Sequence, residues 1–165
     1  MKGKILKGVS LGCIITLLYA CNSNKEESGT GVVDKEQIKK EIQTKEDEFA
    51  SVYNSGELKN IGYYADDAIS FYQNRPALVG REAILDFFKS DLSANSIKNK
   101  ISFKTNEVFV SNDGNLVVEI GNFTVVDSTG TGINKGNYMS LFEKRNGKYV
   151  CLRDMSASSV DLSDQ

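Results

Sequence analysis

The chain has 165 residues, 40% hydrophobic and 25% charged, which suits one globular domain with short appendages. Its formal charge is −2 and it contains no histidine, which excludes Ser-His and Cys-His nucleophile pairs, HExxH zinc sites and every histidine general base. The sequence has no P-loop and no GxGxxG to hold a nucleotide, and no basic cluster to neutralise phosphates, so nucleic acid is not an expected partner.

In chain order, Lys2, Lys4 and Lys7 form a positive n-region, and Val9 to Ala20 is an apolar run without an acid. This reads as a secretory signal, residues 1–20, and is shorter than the roughly 20 apolar residues a membrane span needs. Leu18-Tyr19-Ala20-Cys21 resembles the lipobox of bacterial lipoproteins. The resemblance implies cleavage before Cys21, acylation of Cys21 and a lipid-anchored protein of the bacterial cell envelope, at the outer membrane, on either its periplasmic or its surface face. The alternatives are a secreted protein with an unlipidated cysteine and an uncleaved signal anchor.

Loss of residues 1–20 removes three lysines and no acid, leaving 17 basic against 22 acidic residues and a charge of −5. Cys13 leaves with the signal and Cys21 is acylated, so Cys151 stands alone and no intrachain disulfide forms. Without histidine and with one thiol, no metal site and no cofactor is expected. Cys151 itself reads as a small buried thiol in a strand.

Residues 21–33 form a tether. The ten residues Asn22 to Gly31 have a root-mean-square reach of about 18 Å. Within them, Lys25-Glu26-Glu27 reads either as a solvated linker or as the surface-export signal of some lipoproteins.

The folded domain is expected over residues 34–158, with 159–165 as a tail. Asp34 and Gln37 have the spacing of a capping box. Ile38, Ile42, Phe49, Val52 and Tyr53 follow at helical spacing until Asn54-Ser55-Gly56. A short helix is expected over Glu57 to Tyr64, short strands at "AISFYQ" and "PALVG", and an amphipathic helix over Arg81 to Ser90.

"KISFKTNEVFV", "LVVEIGNFTVVD", "INKGNYMSLFEKR" and "KYVCLRDMSAS" read as four strands separated by glycine-containing turns. Helices followed by a meander predict an α+β fold, with helices on one face of a curved antiparallel sheet.

"FASVYNSGELKNIGYYADDAISFYQNRPALVGREAILDFF" followed by "GNYMSLFEKRNGKYVCLRDMSAS" resembles the nuclear transport factor 2-like superfamily, in its SnoaL-like and ketosteroid-isomerase-like branch. The resemblance covers about Asp34 to Ser158. It implies a cone-shaped domain with a pocket between sheet and helices, often in a homodimer.

Carried over residue by residue, the isomerase base falls on Tyr72, the oxyanion tyrosine on Phe49, and the oxyanion aspartic acid on or next to Met139. Phe49 and Met139 donate no hydrogen bond, and losing one such donor typically costs about 10² to 10³ in rate. Isomerase chemistry by that mechanism is therefore not expected. Relatives also continue Asp-Met with Trp-Asn, where this chain has Ser156-Ala157.

The expected pocket is lined by Phe49 and Tyr53 from the first helix and Tyr72 and Met139 from strands. The period of two in the last strand adds Val150, Leu152, Asp154 and Ser156, and the resemblance makes theirs the pocket face. Asp154 is either a general acid or base with a raised pKa, or a structural group paired with Arg75 or Arg153. Glu119 is expected to face solvent, unless it meets Asp154 as a second carboxylate.

The leading expectation is a membrane-tethered domain that binds a small, mainly apolar ligand without turnover. The alternatives are a cofactor-free lyase, isomerase or hydrolase using Asp154 and Tyr72, and a dimerising interaction module.

Overall fold

A computed structural model describes residues 33–58, 61–94 and 99–159. The expected signal peptide, Cys21 with its lipid, the tether up to residue 32 and the tail beyond Ser159 lie outside the described residues.

Helix α1 spans Lys35–Ser55. Asp34 caps it, accepting from the Gln37 amide at 3.0 Å, an arrangement that contributes about 1 kcal/mol. The box is half made, because the Gln37 side chain turns to Glu41 instead. Gly56 ends the helix at φ 76°, a left-handed conformation that costs a glycine little. Ile38, Ile42, Glu46, Phe49 and Ala50 form its buried stripe.

The helix expected over Glu57 to Tyr64 does not extend to its expected end: Leu58 accepts from the Ile61 amide at 3.1 Å, and residues 59–60 lie outside the described ones. Tyr64 opens strand β1, Tyr64–Tyr72, and Tyr63 runs into it without helical structure. Tyr63 and Tyr64 are 6% and 3% exposed, and both rings reach the core because Tyr63 stands ahead of the strand and outside its alternation.

β2 (Leu78–Val79) and helix α2 (Arg81–Ala94) follow, then β3 (Lys100–Val110), β4 (Leu116–Val126), β5 (Gly132–Arg145) and β6 (Lys148–Ser158). The six strands lie in the order β2-β1-β6-β5-β4-β3. The sheet is mixed rather than wholly antiparallel, because β1 runs parallel to β6. Helix α1 packs along β3 and α2 against β1 and β2, so both cover the same inner face.

Two irregularities set the site. Between Tyr64 and Ile69, β1 bulges outward relative to β6. The "ADDA" aspartates stand on that bulge: Asp67 receives the Arg145 guanidinium at 2.6 and 3.1 Å, and Asp66 pairs with Arg81 at 2.5 Å. They tie strands to their surroundings at the surface.

In β6, Cys151 pairs with Phe142 and Arg153 with Leu141, so Leu152 is an extra residue. Tyr149 and Cys151 before it are buried in the core; Asp154, Ser156 and Ser158 after it turn inward. The unbroken alternation of Val150, Leu152, Asp154 and Ser156 therefore does not hold.

Candidate functional site

Between the helices and the inner face lies a cavity of about 450 Å³. Its walls are aromatic because α1 and α2 each place rings toward the sheet. Phe49 stands at the centre, with the rings of Tyr53, Tyr63, Tyr64, Phe88 and Phe103 at 4.9 to 6.1 Å. Such pairs contribute about 0.5–1.5 kcal/mol each beyond their area and fix the wall.

The polar groups lie at the inner end. Asp154 enters from β6, with Ser70 beside it in parallel register and Ser140 opposite on β5. The Tyr64 hydroxyl donates to Asp154 Oδ2 at 2.9 Å. Asp154 Oδ1 and Ser70 Oγ are shielded from solvent and have no hydrogen-bond partner. Burial raises the Asp154 pKa, and the Ser70 and Tyr64 hydroxyls partly offset this.

A second acidic group stands nearby. Glu46 is 1% exposed and Glu119 0%. Tyr63 donates to Glu46 Oε1 in a short hydrogen bond. Glu119 Oε1 receives Thr105 Oγ1 at 2.5 Å and the Tyr138 hydroxyl at 2.8 Å. The two carboxyls face each other. Burial raises both, and the charge of Glu119 raises Glu46 further, so Glu46 is the member that keeps its proton.

Gly121 makes this geometry accessible. It pairs with Tyr138, whose ring lies where a Cβ on residue 121 would stand. A fourth acid, Asp91 on α2, accepts from the Tyr53 hydroxyl at 2.7 Å.

Phe49, Tyr53, Tyr72 and Asp154, expected at the pocket from the sequence, all line this cavity. Met139 does not: it is 43% exposed on the outer face, and its neighbours Tyr138 and Ser140 point inward. The family position placed on or next to Met139 is thus flanked by two inward hydroxyl-bearing residues, of which Tyr138 donates to Glu119. Leu152 is also absent from the lining, displaced by its bulge.

Asp154 pairs with neither Arg75 nor Arg153. Arg75 lies over the Phe87 ring at 4.3 Å, and Arg153 donates to the backbone carbonyls of Asp67 and Leu152. Glu119 is buried rather than solvent-facing, and it meets Glu46.

Glu46 was missed by sequence reasoning, although a signal for it exists. It falls at helical spacing between Ile42 and Phe49, where an acid on an apolar stripe marks a buried polar group.

Comparison with solved structures defines the fold. A ketosteroid isomerase-like protein from Erwinia carotovora atroseptica superposes with a TM-score of 0.60 at 16% identity, over 74% of this chain and 96% of that one. An NTF-2-like protein of unknown function from Shewanella oneidensis matches with a TM-score of 0.58 at 18% identity, over 73% and 98%. A protein from Catenulispora acidiphila, in complex with S-DNPA, matches with a TM-score of 0.65 at 13% identity, over 74% and 94%. The chain has the α+β fold of these nuclear transport factor 2-like proteins. No protein-family model and no curated protein matches it.

Proposed function

We propose that the mature domain is a lipid-anchored pocket domain that binds a small, mainly apolar ligand between its helices and the inner face of its sheet. The observation that carries this reading is the cavity of about 450 Å³, with aromatic walls and polar side chains, Asp154 among them, in its lining. That composition gives apolar burial for affinity and a small polar group for orientation. The S-DNPA complex of a similar structure supports the same use of the fold. Anchoring rests on the lipobox-like sequence at Cys21.

Native mass spectrometry of the detergent-released protein, purified from its own host, tests the reading. A retained small molecule is the expected result; repeated absence, together with failure of apolar probes to raise the melting temperature, overturns it. Replacing Cys21 by Ser should move the protein to the soluble fraction, and continued membrane association refutes the anchor.

A second reading, acid–base catalysis without a cofactor, is favoured by one feature: Asp154 and Tyr72 line the same cavity, and burial raises the carboxyl. Asp154→Asn separates the two readings. Binding retained, with no substrate consumed by the parent protein, is the outcome of a binding domain.

Homodimerisation is supported by the outer face. There Phe71, Met155, Met139 and Ile120 pair side by side across β1, β6, β5 and β4, and the first three are 44%, 55% and 43% exposed. A contiguous apolar row of this kind suits a second copy of the chain.

A further inference from the structure

The cavity is chemically one-sided. Three of its tyrosines already commit their only proton to a carboxyl: Tyr53 to Asp91, Tyr63 to Glu46 and Tyr64 to Asp154. Behind them Tyr138 does the same for Glu119. A phenol that has given its proton offers only lone pairs. Burial and the charge of Glu119 both raise the Glu46 carboxyl.

Of the described lining residues only Arg75 is cationic. It is exposed and engaged with the face of Phe87, away from the buried carboxyls. At the inner end, Asp154 Oδ1 has no formed hydrogen bond, and the Ser70 hydroxyl is the neighbouring donor. Among the described residues, then, this end holds no cation, its neutral donors are the hydroxyls of Ser70, Ser140 and Tyr72, and one shielded carboxylate oxygen is left without a hydrogen bond. A buried charged acceptor is costly until a donor reaches it, and a ligand with such a donor removes that cost.

We infer that the pocket selects ligands with a flat apolar body and a cationic amine head, the amine seated at Asp154 and the body among the rings around Phe49. The inference rests on the proposed ligand-binding role and adds the class of ligand. A carboxylate ligand of the same shape faces repulsion from the acids Asp91 and Asp154 in the lining. An alcohol reaches Asp154 with a hydrogen bond in which only the acceptor is charged, without the ion pair that the amine adds.

Three probes that differ only in the head group test this. They are 2-naphthylmethylamine, 2-naphthalenemethanol and 2-naphthoate, titrated calorimetrically into the full-length, detergent-solubilised protein. The amine is expected to bind at least about tenfold more tightly than the alcohol, and the carboxylate most weakly. In Asp154→Asn the amine should fall to within about threefold of the alcohol, while the alcohol changes little.

An alcohol or carboxylate that binds the parent as well as the amine overturns the inference and leaves the pocket reading intact. Binding of none of the three overturns both. The parent comparison does not depend on the variant's folding, and an amine preference that survives in a folded Asp154→Asn protein also overturns the assignment of the seat.

Discussion

On β5, Tyr138 and Ser140 turn inward and Met139 between them turns outward, so one strand serves two surfaces of opposite content. The inner face holds buried acids, each with a tyrosine donor, under two helices. The outer face leaves a row of methionine and phenylalanine in the open. Polarity is usually found outside and apolarity inside. Here a few acids stand within an apolar inner layer, and an apolar row stands on the outer face. The inner one gives up apolar packing for a polar-ended cavity, and the outer one leaves apolar area for something to cover.

Substitutions that pit one face against the other should differ in size. Phe142, 0% exposed under the inner layer, is the position most sensitive to truncation. Phe142→Ala should cost about 3–5 kcal/mol in urea denaturation. A loss below about 1 kcal/mol would show that the inner layer is loosely packed.

Gly121→Ala comes next, because its new methyl group occupies the place of the Tyr138 ring and displaces the hydroxyl that serves Glu119. About 1–3 kcal/mol of destabilisation is expected, read from the same melts. Gly121→Ala that melts like the parent would mean the ring has room to move aside.

The acids make a prediction about pH. Burial raises the carboxyls of Glu46, Glu119 and Asp154 above their ordinary values of 4.5, 4.5 and 3.8, so the folded chain holds protons more tightly than the unfolded one. Their contribution to stability is complete below those ordinary values and is lost as pH rises through the raised ones. Glu46→Gln keeps an acceptor for Tyr63 and a donor for Glu119 without an ionisable proton. Its melting temperature should therefore exceed that of the parent at pH 8, and the gain should shrink toward pH 4.5. A constant difference across that range would remove Glu46 from the account.

The smallest effect on folding belongs outside. Met139→Glu combined with Met155→Glu should leave the far-ultraviolet circular dichroism of the protein unchanged, because both side chains already meet solvent. It should also abolish the proposed dimer in sedimentation velocity, and an unchanged sedimentation coefficient would place any dimer contact elsewhere.

Much of the fold was legible in the sequence. Alternation and the glycine turns located β3 to β6 almost residue for residue, and the capped amphipathic pattern located α1. The site was less legible, because each of its surprises depends on strand phase or on contacts distant in sequence. Met139 lies one residue away from the inward positions, and periodicity alone cannot choose between adjacent phases. Leu152 was misplaced because a bulge leaves no composition signal. Glu119 was expected outside because nothing near it in sequence shows that Glu46, on a helix far earlier, comes to meet it. The aromatic positions on α1 were easier, since a helical stripe declares its buried side locally.

The bulge at Leu152 has a consequence for how such a pocket could change its preference. Were β6 to pair regularly after Cys151, Arg153 would point inward and Asp154 outward. The same eleven residues would then present a guanidinium to the cavity in place of a carboxylate. A strand has a phase as a message has a reading frame, and Leu152 acts as a frameshift within it. The sign of charge in this pocket is thus held by one supernumerary residue, and the step that would invert it is a change of register, with no acid or base exchanged.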